Sequence, residues 1–106
     1  MIVSSGYNIA GPEVEEVLLT HPAVTECGVV GVPDEARGQI VKAFVVLAEG
    51  AVAGPELATE LQDLVKQKIA PYKYPRAIQF LPSLPRTNTG KLQRFKLRDL
   101  PADQAD

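Results

Sequence analysis

Lys91 closes the run Thr87-Asn88-Thr89-Gly90-Lys91, a glycine and a lysine among small polar side chains. Those residue types suit an anion. Gly90 permits a tight backbone turn, Thr87, Asn88 and Thr89 offer hydroxyl and amide donors, and Lys91 brings a mobile cation with three donors. A nucleotide-binding P-loop is excluded. That pattern needs a glycine five residues before Gly90 and a hydroxyl residue after the lysine, and Pro85 and Leu92 stand there instead. What survives is a loop able to present a lysine to a phosphate or a carboxylate. The plainer alternative is a surface turn.

The charge pattern sharpens the question. Formal net charge is −2 over 106 residues, yet residues 71–98 carry Lys73, Arg76, Arg86, Lys91, Arg94, Lys96 and Arg98 with no acid. Residues 1–70 sum to −6 and residues 99–106 to −3. A cationic segment in an acidic chain fits an anionic ligand or partner, or a solvated basic face. Within it, Tyr72 and Tyr74 interleave with Lys73 and Arg76. Such a run can stack on a base and hold phosphates, which fits single-stranded nucleic acid or a nucleotide cofactor such as coenzyme A equally.

Other chemistries find no support. One histidine, His21, and one cysteine, Cys27, give no close ligand pair, so no metal site is expected. A lone histidine makes a nucleophilic triad improbable, and its place before Pro22 suits a capping or solvent-exposed role. Glu15 and Glu16 are expected on a solvated helix flank. Cys27 lies in an apolar run and reads as a buried, inert thiol. A single cysteine, no signal-peptide pattern and no apolar run long enough to span a membrane lead us to expect a cytoplasmic protein.

The elements that must position these residues are legible in outline. The residues MIVSSGYNIAG read as a short two-stranded ribbon around a Ser-Ser-Gly turn. Pro12 suits a first helical position, Val14, Val17 and Leu18 form an apolar face, and Pro22 stops the helix. Two Val-rich strands, AVTECGVVGV and QIVKAFVVLA, are joined by the loop PDEARG. A second helix runs through PELATELQDLVKQKIA on the face Leu57, Leu61, Leu64, Val65 and Ile69. A short strand carries Ile78 and Phe80 on one side, and a last helical turn follows Lys91. The expected fold is a single α+β domain over residues 1–106, a small, mainly antiparallel sheet packed with helices and preceded by the ribbon.

Four stretches in this order, SSGYNIAGPEVEEVL, VPDEARGQIVKAFVVL, YKYPR and LPRTNTGKLQRFKLR, together resemble the C-terminal domain of the adenylate-forming acyl-CoA synthetases. The likeness covers roughly residues 1 to 100, and its finer detail is most like the benzoate and 2-aminobenzoate CoA ligases. It implies a two-step reaction of ATP with a carboxylic acid, then coenzyme A, giving acyl-CoA, AMP and pyrophosphate. An N-terminal adenylation domain, absent from this chain, would bind ATP with Mg2+ and a small, aromatic acid. The smaller domain rotates between half-reactions, and with no nucleotide pocket of its own the isolated chain is expected to be inactive. The resemblance gives Lys91 the role of bridging carboxylate and α-phosphate, with Thr89 and Gly90 shaping its loop. It places Ser5, Gly6, Tyr7, Arg37, Tyr72, Lys73 and Arg76 on the coenzyme A face. Arg37 stands where an aryl-CoA ligase has an aromatic residue, and Tyr74 where it has a cation. No nucleic acid or membrane partner is implied. A non-catalytic module docking an acidic partner or nucleic acid through residues 71–98 is the competing reading.

Overall fold

The run Val41 to Val46 alternates its side chains between two buried faces, and it forms the middle of the sheet. The computed structural model describes residues 2–100; Met1 and residues 101–106, with the tail acids Asp103 and Asp106, lie outside them. The elements are β1 (Ile2–Ser4), β2 (Tyr7–Ile9), α1 (Gly11–Leu18), β3 (Val24–Asp34), β4 (Gly38–Leu47), α2 (Pro55–Lys68), a 3-10 turn at Pro71–Lys73, β5 (Ala77–Phe80) and α3 (Arg94–Arg98). Antiparallel pairs join β1 to β2, β1 to β4 and β3 to β4, in the order β2-β1-β4-β3. β5 adds to β4 in parallel, Lys42 opposite Ala77 through Val45 opposite Phe80. A parallel pair needs a long crossover, and α2 supplies it.

Two cores result. On one face Val29, Val41, Ala43 and Val45 meet Val14 and Leu18 of α1 and Leu61 and Val65 of α2. On the other, Val30 and Phe44 lie under Leu84 and Leu97, with Leu81 and Leu92 packed alongside. The segment from Leu81 to Leu97 is therefore the lid of the second core. Gly28 lets it approach: a Cβ there would stand 2.6 Å from Leu97 Cδ1 and 3.0 Å from Leu92 Cδ2.

The expected fold class is the observed one, with differences in detail. The β3–β4 loop spans only three residues, because Pro33 and Asp34 continue the ladder to Gln39 and Gly38. Asp34 Oδ2 accepts the Arg37 N–H at 2.9 Å and closes the turn. Pro12 takes the second helical position, after Gly11, and α2 stops at Lys68, before Ile69 and Ala70. The Ser5-Gly6 turn has φ of 51° and 85°, the left-handed pair that a two-residue hairpin with matching twist requires.

His21 is neither a cap nor solvent-exposed. Its Nδ1 accepts the Ala23 N–H at 3.0 Å, so its Nε2 carries the proton and donates to Glu60 Oε2, tethering the end of α1 to α2. Cys27 is buried, its Sγ 3.5 Å from the Glu15 carbonyl that accepts its proton. Burial, then the Glu15 charge, pushes its pKa from 9.0 up to about 12. At pH 8 the folded chain is expected to resist iodoacetamide and the chain in denaturant to react fully, as mass spectrometry would show; labelling in native buffer at the rate of a free thiol would refute the buried placement.

Candidate functional site

The loop that carries Lys91 is built by its own backbone and one hydroxyl. Arg86 and Leu92 form an isolated antiparallel bridge at its base. The Thr87 N–H donates to the Lys91 carbonyl at 2.9 Å, and the Gly90 N–H to the Thr87 carbonyl at 2.9 Å. Thr87 Oγ1 accepts the Lys91 N–H at 3.0 Å and shares a 3.0 Å hydrogen bond with Thr89 Oγ1. Gly90 turns the chain at φ 91°. The sequence reading gave the shaping of this loop to Thr89 and Gly90. Thr87 is the latch it missed, four residues before Lys91 and so placed to receive its N–H. The backbone is fixed while the Lys91 side chain stands in solvent, with no ion pair among the described residues.

Its cationic neighbours are different. Arg86 donates to Glu26 Oε1 from Nε at 3.1 Å and Nη2 at 2.7 Å, and to the Gly90 carbonyl at 2.9 Å. Arg94 forks onto Glu15, Nε to Oε2 at 3.0 Å and Nη2 to Oε1 at 2.5 Å. Lys73 meets Glu13 at 2.7 Å. The Glu15 hydrogen bond raises the Arg94 pKa above its ordinary value, and the Glu13 hydrogen bond does the same for Lys73. The acids absent from residues 71–98 in sequence are thus supplied in space by α1 and β3. Among the described residues, this leaves Lys91, Lys96 and Arg98 as the cations of that segment without an ion pair or ring contact.

Glu15 corrects the expectation of a solvated flank. It is 9% exposed, and its Oε2 also accepts the Val29 N–H at 2.8 Å, while Glu16 is exposed. The signal was available. Gly11, Val14, Glu15 and Leu18 make an i, i+3, i+4, i+7 stripe, the buried face of α1, and Glu15 stands inside it.

The second set of expected site residues gathers at the far end of the β3–β4 hairpin. The Ser5 N–H donates to the Arg37 carbonyl at 3.0 Å, joining the Ser5-Gly6 turn to the β3–β4 turn. The Tyr7 and Tyr72 rings lie 4.3 Å apart between centroids, and Lys73 Nζ stands 5.8 Å from the Tyr72 centroid. Both tyrosines are exposed. Arg37 Nη1 lies 3.9 Å from Asp34. Arg76 does not join this group: it stacks on Tyr74 at 4.9 Å, donates to its hydroxyl at 2.8 Å, and shares that ring with Lys66. Glu26, which holds the Lys91 loop through Arg86, and Asp34, at the other end of β3, are eight residues apart, about 26 Å along a strand. The two groups therefore occupy opposite ends of one hairpin. Among the described residues no group of three or more His, Cys, Asp or Glu side chains could hold a metal ion.

The chain that carries these two groups has clear counterparts at the level of the whole domain. Human mitochondrial acyl-coenzyme A synthetase ACSM2A is 56% identical over 101 residues, 93% of this chain and 18% of that protein. A Brucella canis acyl-CoA synthetase structure superposes with a TM-score of 0.90 at 56% identity, over 92% of this chain and 18% of that one. An anthranilate CoA ligase, AuaEII, solved with anthranoyl-AMP, gives a TM-score of 0.84 at 44% identity, over 92% and 19%. This chain thus spans less than a fifth of the length of these relatives. The family description "AMP-binding enzyme C-terminal domain" matches residues 13–91, from the acid that meets Lys73 to Lys91 itself. The chain belongs to the AMP-binding enzyme C-terminal domain family.

Proposed function

We propose that this chain is the mobile C-terminal domain of a larger ATP-dependent, AMP-forming acid–CoA ligase, and that it delivers Lys91 to the first half-reaction. One observation carries the reading: the Lys91 loop is locked by hydrogen bonds while its ammonium stands unpaired among the described residues. Arg86 and Arg94, on either side, are neutralised by internal acids. In the first step a carboxylate attacks the α-phosphate of ATP, giving acyl-adenylate and pyrophosphate. Two anions must meet, and a positioned ammonium stabilises the charge as they do. In the second step the thiol of coenzyme A displaces AMP and forms the thioester. The fit for coenzyme A is at the other end of the hairpin. The Ser5-Gly6 turn allows close backbone approach, Tyr7 and Tyr72 offer exposed rings, and Lys73 supplies a cation beside them. ATP with its Mg2+ and the acid would bind in the partner domain. We propose a small aromatic acid, a reading in keeping with the anthranilate CoA ligase among the relatives.

A fusion tests the ligase reading. This chain replaces the matching segment of the Brucella canis synthetase, whose identity there is 56%. With ATP, an acid that synthetase accepts and coenzyme A, the fusion is expected to release pyrophosphate and form thioester, and the 106-residue chain alone to do neither. A folded fusion that releases no pyrophosphate would sink the reading. For the acid, the product of the complete reading frame is assayed with benzoate and 2-aminobenzoate. Preference for saturated acids would overturn the aromatic assignment and leave the ligase reading standing.

A further inference from the structure

We infer that Glu15 is a positioning residue for Lys91, acting through Arg94; the inference rests on the ligase reading for its catalytic part. α3 has five residues, too few to hold itself as a helix, so its placement comes from what it touches. Leu97 is fully buried, and Leu92 and Leu97 pack over Gly28. Apolar contacts of this kind hold a segment down without fixing its direction. The directional contact is the fork from Arg94, the first residue of α3, onto the Glu15 carboxylate. Glu15 is itself anchored twice, by its place in α1 and by the Val29 N–H on β3. Two residues separate Arg94 from Lys91, and the Gln93 N–H between them bonds the Pro85 carbonyl at 2.9 Å. Glu26 holds the near side of the loop through Arg86 and the Gly90 carbonyl, and a second path from the sheet to the reactive ammonium runs through Val29, Glu15 and Arg94 to the far side of the loop. Glu15 is 9% exposed and its carboxylate is taken up by Val29 and Arg94. It sets where Lys91 starts from.

Glu15→Gln keeps shape and the acceptor for Val29 but loses the charge that grips the guanidinium. Hydrogen exchange on the 106-residue chain is the first measurement. The amides of Thr87, Gly90, Lys91 and Gln93 are expected to exchange on the order of tenfold faster in the variant, with β3–β4 amides unchanged. Uniform acceleration, or none, would overturn the inference, since destabilisation acts on every amide. The second measurement uses the fusion. Adenylate formation is expected to fall about 10- to 100-fold, the scale of a small misplacement. Thioester formation from supplied acyl-adenylate should stay within about twofold, because that step uses the other end of the hairpin. Equal loss in both half-reactions overturns the positioning role. Adding Glu15→Gln to Lys91→Ala should cost adenylate formation nothing further; an additive loss also overturns it. Arg94→Lys, which keeps the charge and loses the fork, should give the same split if Glu15→Gln folds poorly. An unsubstituted fusion that releases no pyrophosphate removes the ligase reading, and the exchange pattern still decides whether Glu15 holds the loop.

Discussion

Lys91→Ala, placed in the fusion with the Brucella canis body, is expected to slow adenylate formation about 10²–10³-fold, the usual cost of one preorganised charge-stabilising group. The effect should fall on the rate of the step more than on the apparent affinity for ATP, because the interaction strengthens as the carboxylate and phosphate approach. Thioester formation from supplied acyl-adenylate should be nearly unchanged. The side chain is exposed and its backbone bonds are main-chain or Thr87 contacts, so truncation leaves the loop and the fold intact. Lys91→Arg would keep the charge but replace a compact ammonium by a larger planar fork, and should recover only part of the rate. Pre-steady-state pyrophosphate release measures the first step directly. Wild-type release by Lys91→Ala would remove the lysine from the chemistry.

The second large effect is on stability. Phe44→Ala is expected to cost about 3–5 kcal/mol, the range for emptying a buried aromatic site. Phe44 is fully buried at the centre of β4, between its partners on β3 and β5 and beneath the lid formed by Leu84 and Leu97. A domain of this size has about 5–15 kcal/mol in total, so the loss is a large part of it. Urea titration of both chains measures it. Val52→Ala, at a site 80% exposed, serves as the control and should stay within about 0.5 kcal/mol. A Phe44→Ala loss below about 1 kcal/mol would mean that the second core is not packed as described.

Periodicity made much of this fold readable. The stripe through Leu57, Leu61 and Val65 predicts α2, and the valines of β3 and β4 predict a hairpin, because burying one face leaves a mark at a fixed spacing. The parallel docking of β5 left no such mark, since Ile78 and Phe80 face the core equally well in either direction. The β3–β4 turn was read too long because Pro33 suggested a loop, whereas the ladder carries it opposite Gln39. Family likeness, more than spacing, pointed to Lys91, and its latch by Thr87 depends on a turn geometry that composition does not reveal. Arg76 is held on Tyr74, its neighbour by two, a pairing that spacing alone did not reveal. Charge counting failed most instructively. Residues 71–98 read as a cationic stretch without acids, and Glu13, Glu15 and Glu26 lie too far back in the chain for spacing to match them with it.

That distance has a bearing on how the molecule is made. The pairs Lys73–Glu13 and Arg86–Glu26 join residues 60 apart, and Arg94–Glu15 joins residues 79 apart. A chain is synthesised from its N-terminus, so each acid leaves the ribosome well before its cation exists. Glu15 cannot be buried with its charge matched until Arg94 emerges, and the seam between α1 and β3 must stay wet until then. The sheet can collapse early, but the piece that carries Lys91 closes last. A nascent chain stalled before α3 would show its strands protected and Glu15 still open to water, so the order of synthesis itself keeps the reactive loop unassembled until the rest of the domain stands ready to hold it.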